Sequence, residues 1–264
     1  MAMANTFKQA LARGQRQIGL WQALANPYTA EICAGAGFDW LLFDGEHAPN
    51  DIPTLLAQLQ AVAPYAVHPI ARPPVGDAVL VKQYLDIGFQ TLLIPFVESA
   101  EQARDLVRAT RYPPAGVRGI GVGLSRAARW NRVADYLETA DAEICLIVQI
   151  ESDAGLREIE AIAAIEAVDA VFVGPADLSA ALGYRGQADH PAMIETISTM
   201  IRTIRAAGKP VGTLAMDEAG FERAEAAGCT FIAVGTDVSL LARSSEALAR
   251  GRAAVPAPPC ANQR

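Results

Sequence analysis

The chain has 264 residues, of which 52% are hydrophobic and 19% charged, with a net charge of −7 and a pI near 5.0. This is the composition of a soluble globular protein with a large core. The acidic balance argues against nucleic acid or an anionic membrane as a partner.

The opening segment MAMANTFKQALARG lacks the apolar centre of a signal peptide, and no apolar run approaches the roughly 20 residues that span a bilayer. Cys33, Cys145, Cys229 and Cys260 show no C-x-x-C spacing. A reducing, cytoplasmic setting without a disulfide framework is therefore expected.

Eight short apolar runs follow in order: QIGLW ending at Trp21, WLLFDGEH from Trp40, HPIARPP from His68, TLLIPFVE from Thr91, CLIVQIE from Cys145, AVFVGPAD from Ala170, PVGTLA from Pro210 and FIAVGTD from Phe231. Most are continuous rather than alternating, as expected of parallel strands covered on both faces. Helical segments lie between them. Ile52, Leu55, Leu56, Leu59 and Val62 form an apolar stripe with Pro53 in its first turn. Ser99 and Gln102 stand as a capping box ahead of Ala103, Leu106 and Val107. Eight strand–helix repeats over residues 1–250, with no linker, predict one α/β domain, a (β/α)8 barrel. A doubly wound open sheet is the structural alternative. Residues 111–135 and 179–191 are longer than a plain unit needs and are candidate lids or subunit contacts. The Pro-rich stretch 251–264 is expected to be a disordered tail.

In such barrels the catalytic groups stand at the C-terminal strand ends. Those positions hold Trp21, then Asp44, Glu46 and His47, then Arg72, Gln149, Glu151 and Asp177, then Thr213, Leu214, Thr236 and Asp237. Glu151 and Asp177 end neighbouring strands, and two carboxylates facing one mouth repel unless a proton or cation lies between them. An all-oxygen set favours Mg²⁺ or Mn²⁺; equally, each acid could cap a helix or pair with an arginine. His47 is one of three histidines and is placed either as a base or as a surface hydrogen-bonding residue. His68 begins its strand, so a multi-histidine zinc site cannot be built. Arg72, held extended by Pro73, can stabilise an oxyanion or make a structural ion pair. The backbone of Gly174, Pro175 and Ala176 can receive a carboxylate, or can simply turn the chain into a helix. GIGVG, from Gly119, does not directly follow a strand and lacks G-x-G-x-x-G spacing, so no nucleotide cofactor is expected. None of the three lysines (Lys8, Lys82, Lys209) ends a strand. No Schiff base is expected, and a barrel handling a 2-oxo acid would need a metal as electron sink.

Several segments together resemble the 4-hydroxy-2-oxoheptanedioate aldolase family, the class II pyruvate aldolases of aromatic-acid breakdown. They are DWLLFDGEHAPND, ARPP, YPPAGVRGIG, RAARWN, QIES, VFVGPADLSA and AVGTDVSLLARS. The resemblance runs from about residue 5 to 250. It implies a phosphoenolpyruvate/pyruvate-type barrel, hexameric as a trimer of dimers, with a swapped terminal helix. Glu151 and Asp177 would hold Mg²⁺, Mn²⁺ or Co²⁺. Gln149, Ala176 and Asp177 would contact pyruvate, with Gly174, Pro175, Trp21 and Leu214 around it. Arg72 would stabilise the enolate, and His47 would accept the proton, made more basic by Asp86. Asp44 would stand near the aldehyde. Val122, Gly123 and Leu124 depart from the family pattern, which opens the question of the aldehyde. The rival enzyme reading is a citramalyl-type or phosphoenolpyruvate-type lyase, whose substrate would need a basic entrance of the kind Arg118, Arg126 and Arg129 can supply. A non-catalytic binding barrel is the rival outside enzymes.

Asp86 sits in the last turn of the helix after the third strand. If it tunes a His47, as the resemblance implies, its distance from the catalytic mouth makes that histidine a neighbouring chain's; the alternatives are that Asp86 is ordinary solvent-facing helix polarity, or that the helix is displaced enough to reach its own site.

Overall fold

A computed structural model describes residues 3–252. Of the tail expected over residues 251–264, Gly251 and Arg252 belong instead to the last helix, and residues 253–264 lie outside the described residues.

The strands are β1 Gln17–Gln22, β2 Trp40–Asp44, β3 His68–Arg72, β4 Thr91–Ile94, β5 Cys145–Ile150, β6 Ala170–Val173, β7 Val211–Leu214 and β8 Phe231–Thr236. They pair in parallel in chain order and close through β1 and β8. The (β/α)8 barrel is therefore the observed fold, and the doubly wound sheet is ruled out. β2, β4, β5 and β6 are buried at every position, which is why their sequences read as unbroken apolar runs.

The helices are α1 Thr6–Ala12, α2 Pro27–Ala34, α3 Ile52–Val62, α4 Ala78–Ile87, α5 Ala100–Ala109, α6 Tyr136–Thr139, α7 Asp153–Arg157, α8 Ile159–Ala163, α9 Pro175–Ala181, α10 Pro191–Ala206, α11 Glu218–Ala227 and α12 Asp237–Arg252. Local chemistry sets their starts. Asp51 and Thr54 form a reciprocal capping box on α3. Ser99 accepts from the Gln102 amide, while the Gln102 side chain accepts from Glu98 N rather than Ser99 N. That places the box one residue from its expected register. α4 ends at Gly88, whose φ of 114° is one that glycine adopts readily.

Two cores result. Leu41, Phe43, Val148 and Val171 belong to the cluster that also takes in the helices' apolar stripes. Trp40, Leu42, Ile147, Phe172 and Phe231 belong to a second cluster, which Phe7 and Leu11 of α1 join. Phe7 stacks on His68 at 5.6 Å and meets Phe231 edge-on at the same distance. The buried Asn5 side chain ties α1 to Thr91 Oγ1 at 3.0 Å and to Glu143 O at 3.0 Å. α1 thus plugs the end where strands enter, leaving the other end open for chemistry.

Candidate active site

The open end gathers the polar strand-end residues. Arg72 is its centre. Nε donates to Asp44 Oδ1 at 2.9 Å and Nη2 to Asp44 Oδ2 at 2.6 Å, a bidentate fork. Nη1 lies 2.8 Å from Glu46 Oε2, yet that oxygen has no hydrogen-bond donor among the described residues. The contact is an ion pair whose N–H bonds point past the carboxylate. The guanidinium also sits 4.9 Å from the Trp21 ring centroid, and Trp21 Nε1 donates to Asp44 Oδ2 at 3.1 Å.

Burial alone would raise the Asp44 carboxyl, but the Arg72 hydrogen bonds and charge, the Glu46 amide and Trp21 hold it below the usual carboxylate range. Asp44 therefore serves as the anchor of Arg72. Its Oδ1 also accepts from Glu46 N and His47 N at 2.9 and 3.4 Å, which shapes the turn carrying His47. The His47 side chain is 63% exposed, with Nε2 3.8 Å from Glu46 Oε2. The imidazole is therefore open to solvent at the mouth.

Glu151 follows β5 and is buried. Phe96 N donates to its Oε1 at 3.0 Å, and Gln149 Nε2 makes a short contact with its Oε2. Burial pushes the Glu151 carboxyl up to about 7, against the Phe96 and Gln149 hydrogen bonds and with the added charges of Glu46 and Asp177. Gly174 lies directly on this carboxylate, since a Cβ there would stand 2.5 Å from Glu151 Oε2 and 2.9 Å from Gln149 Nε2. Pro175 opens α9, Ala176 is exposed, and Asp177 is half-buried in its first turn. Leu214 ends β7, half-buried.

Four carboxylates (Asp44, Glu46, Glu151, Asp177) thus share one mouth with a single guanidinium, and Arg72 pairs only with the first two, whose charges its own offsets in part. Gln149 Oε1 is buried with no donor among the described residues. The site lacks positive charge and offers oxygen ligands, so it fits a hard divalent cation held by Glu151 and Asp177, with Gln149 beside it. Among the described residues, no three His, Cys, Asp or Glu side chains group as a closed metal cage. Water and substrate would supply the remaining ligands.

Two elements that complete the site are not apparent from the residues alone. Glu46 is one of the strand-end acids, but its pairing with Arg72 depends on the turn geometry. The Phe96 amide reaches Glu151 because Phe96 adopts φ 51°, a strained conformation for an aromatic residue and one that nothing in TLLIPFVE announces.

Asp86 does not meet His47 within the chain. It lies in the last turn of α4, beside the entry to β4 and so at the opposite end of the barrel, where Arg118 Nη2 donates to its Oδ1 at 2.9 Å. Arg118, Arg126 and Arg129 border a cavity with Gly88, Phe89, Gln90 and Ile144, which precede β4 and β5. The expectation that they form a basic entrance to the chain's own site is therefore corrected: they stand at the closed end. Lys8 and Lys209 bind backbone carbonyls there as well, and Lys82 lies within α4.

The sequence family described as HpcH/HpaI aldolase/citrate lyase matches residues 17–244. The chain is 60% identical over 247 residues to a hydroxypyruvate/pyruvate aldolase of Deinococcus radiodurans, covering 94% of this chain and 89% of that one. It is 54% identical to a 4-hydroxy-2-oxo-heptane-1,7-dioate aldolase of Salmonella arizonae, covering 94% of each. A crystal structure of an HpcH/HpaI aldolase/citrate lyase family protein from Burkholderia cenocepacia superposes with a TM-score of 0.91 at 41% identity, covering 95% of this chain and 100% of that one.

Proposed function

The chain belongs to the HpcH/HpaI aldolase/citrate lyase family and is an aldolase; from that premise we propose that the barrel mouth cleaves and forms 4-hydroxy-2-oxo acids, with pyruvate or a close 2-oxo acid as one product and an aldehyde as the other. The observation that carries this reading is the Arg72 guanidinium, clamped by Asp44 and Glu46 at the mouth that also holds the acidic oxygens of Glu151 and Asp177.

A divalent cation (Mg²⁺, Mn²⁺ or Co²⁺) held by Glu151 and Asp177 would withdraw electrons from the keto group and acidify the adjacent carbon. The chain's own residues do the rest. Gln149 and the Ala176 backbone hold the 2-oxo acid, with Asp177 touching it and Gly174 and Pro175 leaving room for it. Arg72 turns its free N–H bonds toward the oxygen on which negative charge develops. His47 accepts the 4-hydroxyl proton as the C3–C4 bond breaks, the bond's electron pair passes into the 2-oxo acid enolate, and one proton added at C3 releases the 2-oxo acid, so that the proton taken from the hydroxyl balances the one gained. In the reverse direction His47 returns that proton. Trp21 walls the site, Leu214 narrows it on the β7 side, and Asp44 near the aldehyde keeps Arg72 in place.

Residues 1–250 form one domain in this reading, acting in the cytoplasm. Among the described residues, no helix is long and apolar enough to cross a membrane. The working assembly is a hexamer, a trimer of dimers, with the terminal helix exchanged between copies. Support comes from α12, which leaves Leu240, Leu241 and Leu248 54%, 57% and 70% exposed, more apolar surface than a helix docked on its own barrel would show. The deciding assay is pyruvate release from a 4-hydroxy-2-oxo acid before and after exhaustive chelation. Release that survives chelation, or a borohydride-trapped adduct with pyruvate, overturns the metal-dependent reading.

A further inference from the structure

Arg118 is a fully buried guanidinium with one hydrogen-bonded nitrogen. Nη2 donates to Asp86 Oδ1, while Nε and Nη1 have no partner among the described residues. The guanidinium lies 4.4 Å from the Tyr112 ring centroid and 6.0 Å from that of Tyr136, and these ring faces offset part of its desolvation. Stability alone accounts poorly for the pair. Buried ion pairs rarely outperform apolar packing, and a carboxylate in the last turn of a helix opposes the helix dipole.

What the arrangement does achieve is a fixed carboxylate. The Asp86 backbone carbonyl accepts from Ala127 N at 3.1 Å and Ser125 Oγ at 3.3 Å, so the glycine-rich segment is stitched around it. Oδ1 is taken by Arg118. Oδ2 faces Gly121, where even an added Cβ would remain 3.9 Å away. The Asp86 side chain is 27% exposed, and on the same segment Ile120 is 61% and Leu124 90% exposed. A rigid carboxylate with one open oxygen, beside bare apolar side chains, has the form of an interface. The chain's own His47 is out of reach, because α4 has 10 residues and carries Asp86 about 15 Å from the mouth.

We propose that Arg118 is a positioning residue for the reaction, holding Asp86 so that its open oxygen meets the imidazole of His47 on a second copy of this chain. The inference rests on the reading of His47 as proton acceptor and Asp86 as its partner.

The test compares Asp86→Asn, Arg118→Met and the double variant for pyruvate release. Each single change should lower kcat about 10- to 100-fold with KM nearly unchanged, and Arg118→Met should add less than about twofold in the Asp86→Asn background. Mixed oligomers give a second readout. His47→Ala chains should regain activity when mixed with either Asp86→Asn or Arg118→Met chains, whereas Asp86→Asn with Arg118→Met should regain none. Equal losses from Arg118→Met in both backgrounds would make Arg118 purely structural and overturn the inference. Wild-type kcat in Asp86→Asn would instead overturn the reading beneath it. If Arg118→Met does not assemble, Arg118→Lys, which keeps the charge and loses the fork, enters the same cycle.

Discussion

The Arg72 guanidinium and the Asp44 carboxylate meet at two points, Nε to Oδ1 at 2.9 Å and Nη2 to Oδ2 at 2.6 Å, with Nη1 2.8 Å from Glu46 Oε2. A lysine cannot reproduce this fork, because its ammonium is a point charge on a flexible stem. Arg72→Lys should therefore reduce kcat by roughly 10²- to 10³-fold, the usual effect of removing an oxyanion donor, with a smaller effect on KM. Steady-state kinetics of pyruvate release read this directly, and Arg72→Ala within a few-fold of wild-type kcat would make the residue structural.

Glu151→Gln and Asp177→Asn keep the size of each side chain while removing its charge. Both should abolish Mg²⁺ or Mn²⁺ binding by calorimetry, and activity with it, while circular dichroism and melting temperature stay near wild type. Retention of metal affinity by either variant would move the cation elsewhere.

Gly174 has φ −89° and ψ 98°, a backbone any residue tolerates, so the effect of Gly174→Ala is steric alone. Its Cβ would press on Glu151 Oε2 and Gln149 Nε2. The expected result is a folded protein with metal affinity and kcat each down by about 10-fold or more. Unchanged affinity would mean that the Glu151 carboxylate can move aside freely.

His68 is buried, its Nε2 2.7 Å from Thr91 Oγ1, and burial lowers its pKa to about 3. The unfolded chain takes up this proton near pH 6.5 and the folded protein does not. The contribution is therefore intact above pH 6.5 and declines by about 1.4 kcal/mol per pH unit as pH falls toward 3. Denaturant melts of wild type and His68→Phe between pH 7 and 4.5 should show a shallower acid loss in the variant, which keeps a ring on Phe7. Parallel curves would rule out His68 as the source.

The sequence by itself determined the barrel and its mouth. Strands buried on both faces must be written as continuous apolar runs, and a parallel barrel places chemistry where those runs end, so Asp44, His47, Arg72, Gln149, Glu151 and Asp177 could be read as one site. Tertiary structure alone decided which charges meet. Arg72 takes Asp44 from 28 residues away and Arg118 takes Asp86 from 32; the first pairing is set by adjacent positions on β2 and β3 and the second by the segment after α5 folding onto α4, neither by any local pattern. The same holds for α1, whose short sequence gives no sign that Phe7 and Leu11 close the barrel floor, and for the Phe96 amide, which reaches Glu151 through a backbone conformation its residue type disfavours. Position along a strand is written in where each continuous apolar run gives way to polar residues; partnership across the barrel depends on the packing of every neighbouring element and emerges only when the ring is closed.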